Sequence, residues 1–333
     1  MNTARIGIIA LMFATNVMPQ GNAANQASAS EPDTSPHKVQ FISVEEDVKL
    51  EVLDWGGFGR PLVLLTGLGD TAHIYDKFAP KLTPTYHVLG ITRRGYGRSS
   101  APRSGYGAAR LGDDVLAVVD ALKLDRPVLV GHSRAGEELS SVGSRYPERV
   151  SGLIYLDAGY AYAFYDPSQG DLNIDLADLQ KKLARLEPGK LPRDPTDLVR
   201  DLLSRSLPTF ERDLQEMQKN LTAVPPSSAE PTPLPFADAA IRAGAQKFTD
   251  IRVPILAFFA IPHALPASIK NDPAASAAFE SRDEAFVGAQ AKAFENGLPS
   301  ARVVPLPHAN HYVFISNAAD VLREINAFVR GLH

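Results

Sequence analysis

A serine between a short apolar run and a helical segment is the first candidate for chemistry in this 333-residue chain. It is Ser133, in Gly131-His132-Ser133-Arg134-Ala135-Gly136. Pro127-Val128-Leu129-Val130 precedes it and Glu137 to Tyr146 follows. A strand that turns sharply into a helix lifts such a hydroxyl out of the strand end, and glycines at 131 and 136 permit a tight turn and close packing. Serine is a weak nucleophile alone. It needs a base to take its proton and a carboxylate to orient that base. His311 is the expected base: it precedes Tyr312-Val313-Phe314 and the terminal helix, so it can point back over the carboxyl edge of a sheet. His308 is the reserve. Two histidines three apart could also start a metal site, but no third ligand lies near in sequence, and no metal is expected.

The strand at 254–259 runs into Ala260-Ile261-Pro262-His263-Ala264-Leu265-Pro266, which holds no carboxylate. The preceding strand ends in Leu156-Asp157, so Asp157 is assigned to hold His311, with Asp283 and Glu284 in reserve. Capping the strand end is the other role open to Asp157. Two backbone N–H groups should face the developing oxyanion, those of Arg134 and Leu68, with Gly67 and Gly69 shaping the second loop. Gly67, Tyr160, Tyr162 and His263 are candidate substrate contacts. The tyrosines could equally pack the segment after Asp157, and His263 could be a satisfied core histidine. Arg134 either meets a substrate carboxylate or pairs with a carboxylate of the chain.

These residues need a frame. Val39 to Gly56 reads as two strands around Glu45-Glu46-Asp47, with Val48, Leu50 and Val52 alternating. Residues 61–65, 87–91, 150–156, 254–259 and 302–306 read as further strands, the first wholly apolar, as in the middle of a covered sheet. Helices are expected from about 71 to 82, over 108–122 with one apolar face, over 271–296 and over 318–329. The alternation implies an α/β fold with a mostly parallel central sheet flanked by helices. Tyr160 to Asp250 breaks the pattern. It is charged and Pro-rich, with helical stretches at 176–186, 195–207 and 210–221 and loops at 225–228 and 231–233. It is read as a helical lid inserted into the core, which spans 39–159 and 251–333; a flexible linker is the rival reading.

Net charge is −4 without a basic patch, so nucleic acid is not an expected partner. Arg5, the apolar run Ile6 to Val17 and the small residues Gly21 to Ala24 read as a signal peptide over 1–24. A polar leader follows over 25–38. The apolar run is short for a membrane span. The expectation is an exported protein, periplasmic or secreted, without a stable membrane span after cleavage. The chain has no cysteine, so no disulfide stabilises it.

Three motifs together resemble the α/β-hydrolase superfamily from about Val39 to Val329. Leu64-Leu65-Thr66-Gly67-Leu68-Gly69-Asp70 is similar to its oxyanion loop, with Thr66 where a His is usual. Arg94-Gly95-Tyr96-Gly97-Arg98-Ser99 resembles its R-G-x-G-x-S loop, with Thr92 in place of an Asp. Residues 131–136 resemble its nucleophile elbow, with Ala135 at the second glycine. The resemblance implies a serine esterase or lactonase acting through an acyl-enzyme on a small molecule, with no cofactor. Epoxide hydrolases and haloalkane dehalogenases of this fold carry a carboxylate at the elbow, where this chain has Ser133. Fungal zearalenone lactonases are similar in placing the acid after the preceding strand, the position of Asp157. An aminopeptidase, amidase or carbon–carbon hydrolase with the same three residues, and a non-catalytic binding protein on the same fold, remain open.

Overall fold

The computed structural model describes residues 36–223 and 233–332. Eight strands form one sheet: β1 Lys38–Glu45, β2 Val48–Gly56, β3 Pro61–Leu65, β4 His87–Ile91, β5 Val128–His132, β6 Gly152–Leu156, β7 Ile255–Ala260 and β8 Ala301–Leu306. Their order is β1-β2-β4-β3-β5-β6-β7-β8. β2 is antiparallel to both neighbours and every other pairing is parallel. Parallel neighbours need crossovers, which α1 Ala108–Ala121 and α2 Gly136–Arg145 supply between β4, β5 and β6.

The strand period of two divides the core. Val63, Leu65, Leu129, Leu153 and Tyr155 face one layer with Val115 and Val118 of α1 and Leu139 and Val142 of α2. Leu62, Leu64, Val130, Ile154 and Leu156 face the other. Both faces of β3, β5 and β6 are therefore covered, which is why these strands are unbroken apolar runs.

Between β6 and β7 the chain forms α3 Leu172–Ala184, α4 Thr196–Asp201, α5 Leu207–Ala223 and α6 Phe236–Ala243, with a π turn at Leu202–Ser206. Asp171 caps α3 by accepting from the N–H groups of Asn173 and Ile174. α3, α4 and the π turn pack through Leu179, Leu198 and Leu202. α6 instead packs through Ala237 and Ile241 on Tyr106 and Leu111, beside Leu68 and Tyr96. After β7 come α7 Pro273–Gly297, α8 Val313–Ser316 and α9 Ala318–Arg330. α7 joins the first layer through Val287, Ala291 and Phe294, and α9 the second through Val321, Ile325 and Val329.

Two expectations are corrected. The helix expected from 71 to 82 is two 3-10 turns, Ala72–Tyr75 and Ala79–Lys81, because Pro80 has no N–H to continue a longer helix. The segment carrying α6 had no helix assigned to it. The expected signal peptide and the loop at 225–228 lie outside the described residues, as does most of the loop at 231–233. Among the described residues no helix is long and apolar enough to cross a membrane.

Candidate active site

Register brings the first two residues together. On the parallel strands β5 and β6, His132 pairs with Leu156, so Ser133 and Asp157 leave neighbouring strands at the same height. Both turn abruptly, with φ of +52° and +50°. Non-glycine residues seldom hold that left-handed conformation, which costs on the order of 1–3 kcal/mol and tends to occur where a side chain must be aimed. Ala135 fits because it is already right-handed helical (φ −63°, ψ −13°). The glycine is needed one place later: a Cβ on Gly136 would lie 2.1 Å from the Ala158 carbonyl oxygen.

The loop after β8 folds back over this edge and is pinned by a bridge between His263 and Ala309. His311 Nδ1 donates to Asp157 Oδ2 at 2.6 Å. Asp157 is fully buried, whereas His311 keeps 35% side-chain exposure, enough to meet a substrate. A carboxylate only accepts, so the proton sits on Nδ1 and leaves Nε2 as the basic nitrogen. His132 Nε2 donates to the His311 carbonyl at 3.2 Å, and its ring lies 4.6 Å from the His311 ring. Burial holds the His132 pKa well below the usual range, so it is a neutral support.

Sequence reasoning missed what holds Asp157. His263 Nε2 donates to Asp157 Oδ2 at 2.8 Å, while His263 Nδ1 faces Asp283 Oδ2 at 3.0 Å. With a carboxylate at each nitrogen, both must carry protons, and His263 is a cation. Burial opposes that charge, but the bonds to Asp157 and Asp283 outweigh it and push the pKa up to about 10. Burial likewise opposes the Asp157 charge, and the bonds from His263 and His311 outweigh it, holding the carboxyl well below the usual range. Oδ1 of Asp157 accepts from the Tyr160 hydroxyl at 2.9 Å and the Ala260 N–H at 3.1 Å.

Two candidate substrate contacts have their polar atoms engaged within the protein. Both ring nitrogens of His263 are committed to carboxylates, and the Tyr160 hydroxyl is committed to Asp157. Asp283 lies one histidine removed from His311, and Glu284 beside it is exposed. His308 is turned outward, 3.8 Å from Glu280. The signal for His263 was its place after β7, where no carboxylate stands.

Tyr162 lies close enough to the serine for its hydroxyl to interact with Ser133. Arg134 stacks on the Tyr162 ring, 4.6 Å from its centroid, and pairs with Glu137 at 3.1 Å. Gly67 lies against the elbow, since a Cβ there would come within 3.1 Å of Ser133 Cβ. Arg93 donates to the Thr66 and Gly67 carbonyls at 2.7 and 3.3 Å. In the trans peptide 67–68, the Leu68 N–H then points away from Arg93. Neither the Leu68 nor the Arg134 N–H takes part in a turn or loop backbone bond among the described residues. Thr92, where an Asp was usual, accepts from the Ala72 N–H and donates to Glu51.

Ligand atoms of Asp157, His263 and His311 lie within 4.8 Å of one another, as do those of His37, His73 and Asp76. In the first group the contacts of 2.6 and 2.8 Å fit shared protons. Ligands about 2 Å from a tetrahedral ion would stand about 3 Å or more apart. The donor set as it stands does not fit a metal.

A family model described as the alpha/beta hydrolase fold matches residues 60–318. The AB hydrolase superfamily protein YisY of Bacillus subtilis (strain 168) is 33% identical over 163 residues, 44% of this chain and 59% of that protein. The chain spans 37% to 59% of the length of the first curated relatives it matches. The esterase RhEst1 from Rhodococcus sp. ECU1013 is 18% identical with a TM-score of 0.56, covering 90% of this chain and 100% of that one. Est816, described as an N-acyl homoserine lactone degrading enzyme, is 20% identical with a TM-score of 0.53, covering 87% and 100%.

Proposed function

This chain belongs to the α/β hydrolase fold family, and we propose that within it the protein is a serine hydrolase that cleaves a carboxylic ester or lactone through an acyl-enzyme. The observation that carries the reading is the 2.6 Å bond between His311 Nδ1 and the buried Asp157, at the sheet edge where Ser133 projects in a left-handed turn. Esterase and lactone-degrading members of the fold fit it.

Ser133 Oγ attacks the carbonyl while His311 Nε2 takes its proton. The N–H groups of Leu68 and Arg134 stabilise the tetrahedral oxyanion. His311 then protonates the leaving alcohol, and water repeats the sequence on the acyl-enzyme. Asp157 keeps His311 in the tautomer with Nδ1 protonated and stabilises its cation. His263 is a positioning residue: it fixes Asp157 from the far side and offsets part of its charge. The segment from 160 to 250 acts as a lid that shapes the substrate pocket. The leader makes the enzyme an exported one.

A fluorophosphonate probe should label Ser133, and the label should vanish in Ser133→Ala. Nitrophenyl esters should be hydrolysed in preference to aminoacyl anilides. Anilide cleavage without ester cleavage would move the reading to an amidase or peptidase, and an unlabelled Ser133 would favour a binding protein.

A further inference from the structure

We infer that Arg93 and Glu138 are positioning residues of the oxyanion site: together they fix the spacing between the loop that carries Leu68 and the elbow helix that follows Arg134. The inference rests on the proposed hydrolase site and deepens it.

Register sets up the contact. β3 lies between β4 and β5, with Leu65 opposite both Ile91 and Gly131. Arg93 comes two residues after β4, so it stands level with the loop beyond β3 and with the elbow turn beyond β5. Its side chain crosses the end of β3. Nε and Nη2 donate to the two carboxyl oxygens of Glu138 on α2, the second at 3.0 Å. Nη2 also donates to the Thr66 carbonyl at 2.7 Å, and Nη1 to the Gly67 carbonyl at 3.3 Å. One guanidinium thus makes two bonds to each segment. It is planar and rigid, so it holds its acceptors at set separations.

The hold reaches both oxyanion donors. The Gly67 carbonyl and the Leu68 N–H belong to one trans peptide and point opposite ways, so fixing the first aims the second. Glu138 lies one turn along from Arg134, in a 3-10 turn at Ser133–Ala135 that continues into α2. An oxyanion is stabilised only while both N–H groups converge on one point. Arg93 and Glu138 each keep only 4% side-chain exposure, so water does not loosen the pair. Stability alone is a poor account of it, because the cost of desolvating a buried ion pair offsets most of the attraction.

Arg94, next in the chain, provides the comparison. Its Nε and Nη2 donate to the two oxygens of Asp114, each at 2.6 Å, and Nη2 also reaches Glu45. Those acceptors lie on α1 and β1, away from both oxyanion segments. The same buried, forked pairing is present there without a link to the site.

The experiment measures kcat and KM for para-nitrophenyl acetate and the inhibition constant of trifluoroacetone. With that ketone, Ser133 Oγ adds to the carbonyl carbon, His311 takes the hydroxyl proton, and the carbonyl oxygen becomes an oxyanion in the same place. Arg93→Lys keeps the charge and loses the fork. Its kcat should fall by about 10²-fold, the scale of a lost oxyanion donor. KM should change by no more than about threefold, as for an interaction made only in the transition state. The ketone should bind more weakly by a factor similar to the loss in kcat. The acid limb of kcat/KM should stay in place, because His311 and Asp157 are untouched. Glu138→Gln should cost roughly tenfold in kcat, and the double variant should fall no further than Arg93→Lys, since the two act as a unit. Arg94→Lys should lower Tm and leave kcat and ketone binding where they were. Unchanged kcat and ketone binding in Arg93→Lys, an equal loss in Arg94→Lys, or a displaced acid limb overturns the inference. So does failure of both Arg93→Lys and Glu138→Gln to fold, which would make the pair structural. A wild type that neither cleaves the ester nor takes a fluorophosphonate label removes the hydrolase reading and this inference with it. An active wild type with normal variants removes the inference alone.

Discussion

The sheet edge that carries Ser133, Asp157 and His311 and the helical insertion beside it are built on opposite terms. β5, β6 and β7 are buried at every residue. They set position by register, and the carboxylate above them is fully satisfied: Asp157 accepts four hydrogen bonds. The insertion leaves Leu191, Leu203, Leu214 and Phe236 exposed. It also buries Asp175 and Asp213 together. A rigid frame suits bond-making chemistry, which tolerates little misplacement. The looser, frustrated insertion suits substrate choice. Substitutions at the edge should therefore change rate, and those in the insertion should change selectivity or stability.

The largest effect should be Ser133→Ala, lowering kcat for an ester by roughly 10⁴-fold or more while the thermal transition stays in place. A folded variant with substantial turnover would detach the chemistry from the edge. Asp157→Asn should follow, with turnover reduced by at least ~10² and up to ~10⁴, because an amide favours the wrong His311 tautomer. A near-normal rate in the folded variant would transfer the acid's role to Asp283 through His263.

His263→Gln should cost less, roughly tenfold in kcat, by loss of the fixed Asp157 geometry. The sharper readout is the pH profile. A neutral amide no longer offsets the Asp157 charge, so the acid limb of kcat/KM should move to higher pH. In the wild type His263 stays charged until pH approaches about 10, so its support for Asp157 is present below that and lost above it. The corresponding alkaline decline in stability should be missing from the variant. An unchanged profile would reduce His263 to a structural residue.

How much of this was legible follows the same division. The central strands could be read because residues such as Leu62 to Leu65 are buried on both faces and so are apolar throughout. The ends of such runs pointed to Ser133 and Asp157, and the loop before the last helix to His311. The bond between His263 and Asp157 spans 106 residues of sequence and that between His263 and Asp283 another 20, so spacing carried no sign of either. The insertion was legible as helical but not in its contacts. α6 is short, and its place beside Leu68 depends on two apolar side chains, Ala237 and Ile241.

The smallest effect expected is in the insertion, and it has the opposite sign. Asp213 on α5 lies against Asp175 on α3, which also accepts from the Tyr165 hydroxyl and pairs with Lys247. Burial first, and then the bond and charge of Asp175, push the Asp213 pKa up to about 7, despite Arg212 at 3.2 Å. The folded chain thus holds a proton that the unfolded chain releases near pH 4, the ordinary aspartate range. Stability falls as pH rises from there to about 7, and the loss persists above it. Asp213→Asn keeps a donor to Asp175 without the second charge. It should raise Tm by about 2–4 °C at pH 8, on the order of 1 kcal/mol, with a gain that shrinks towards zero near pH 4. Scanning calorimetry at the two pH values decides it: a Tm that falls at pH 8 would mean that the carboxylate pair is satisfied as it stands, and that the insertion is no more frustrated than the edge.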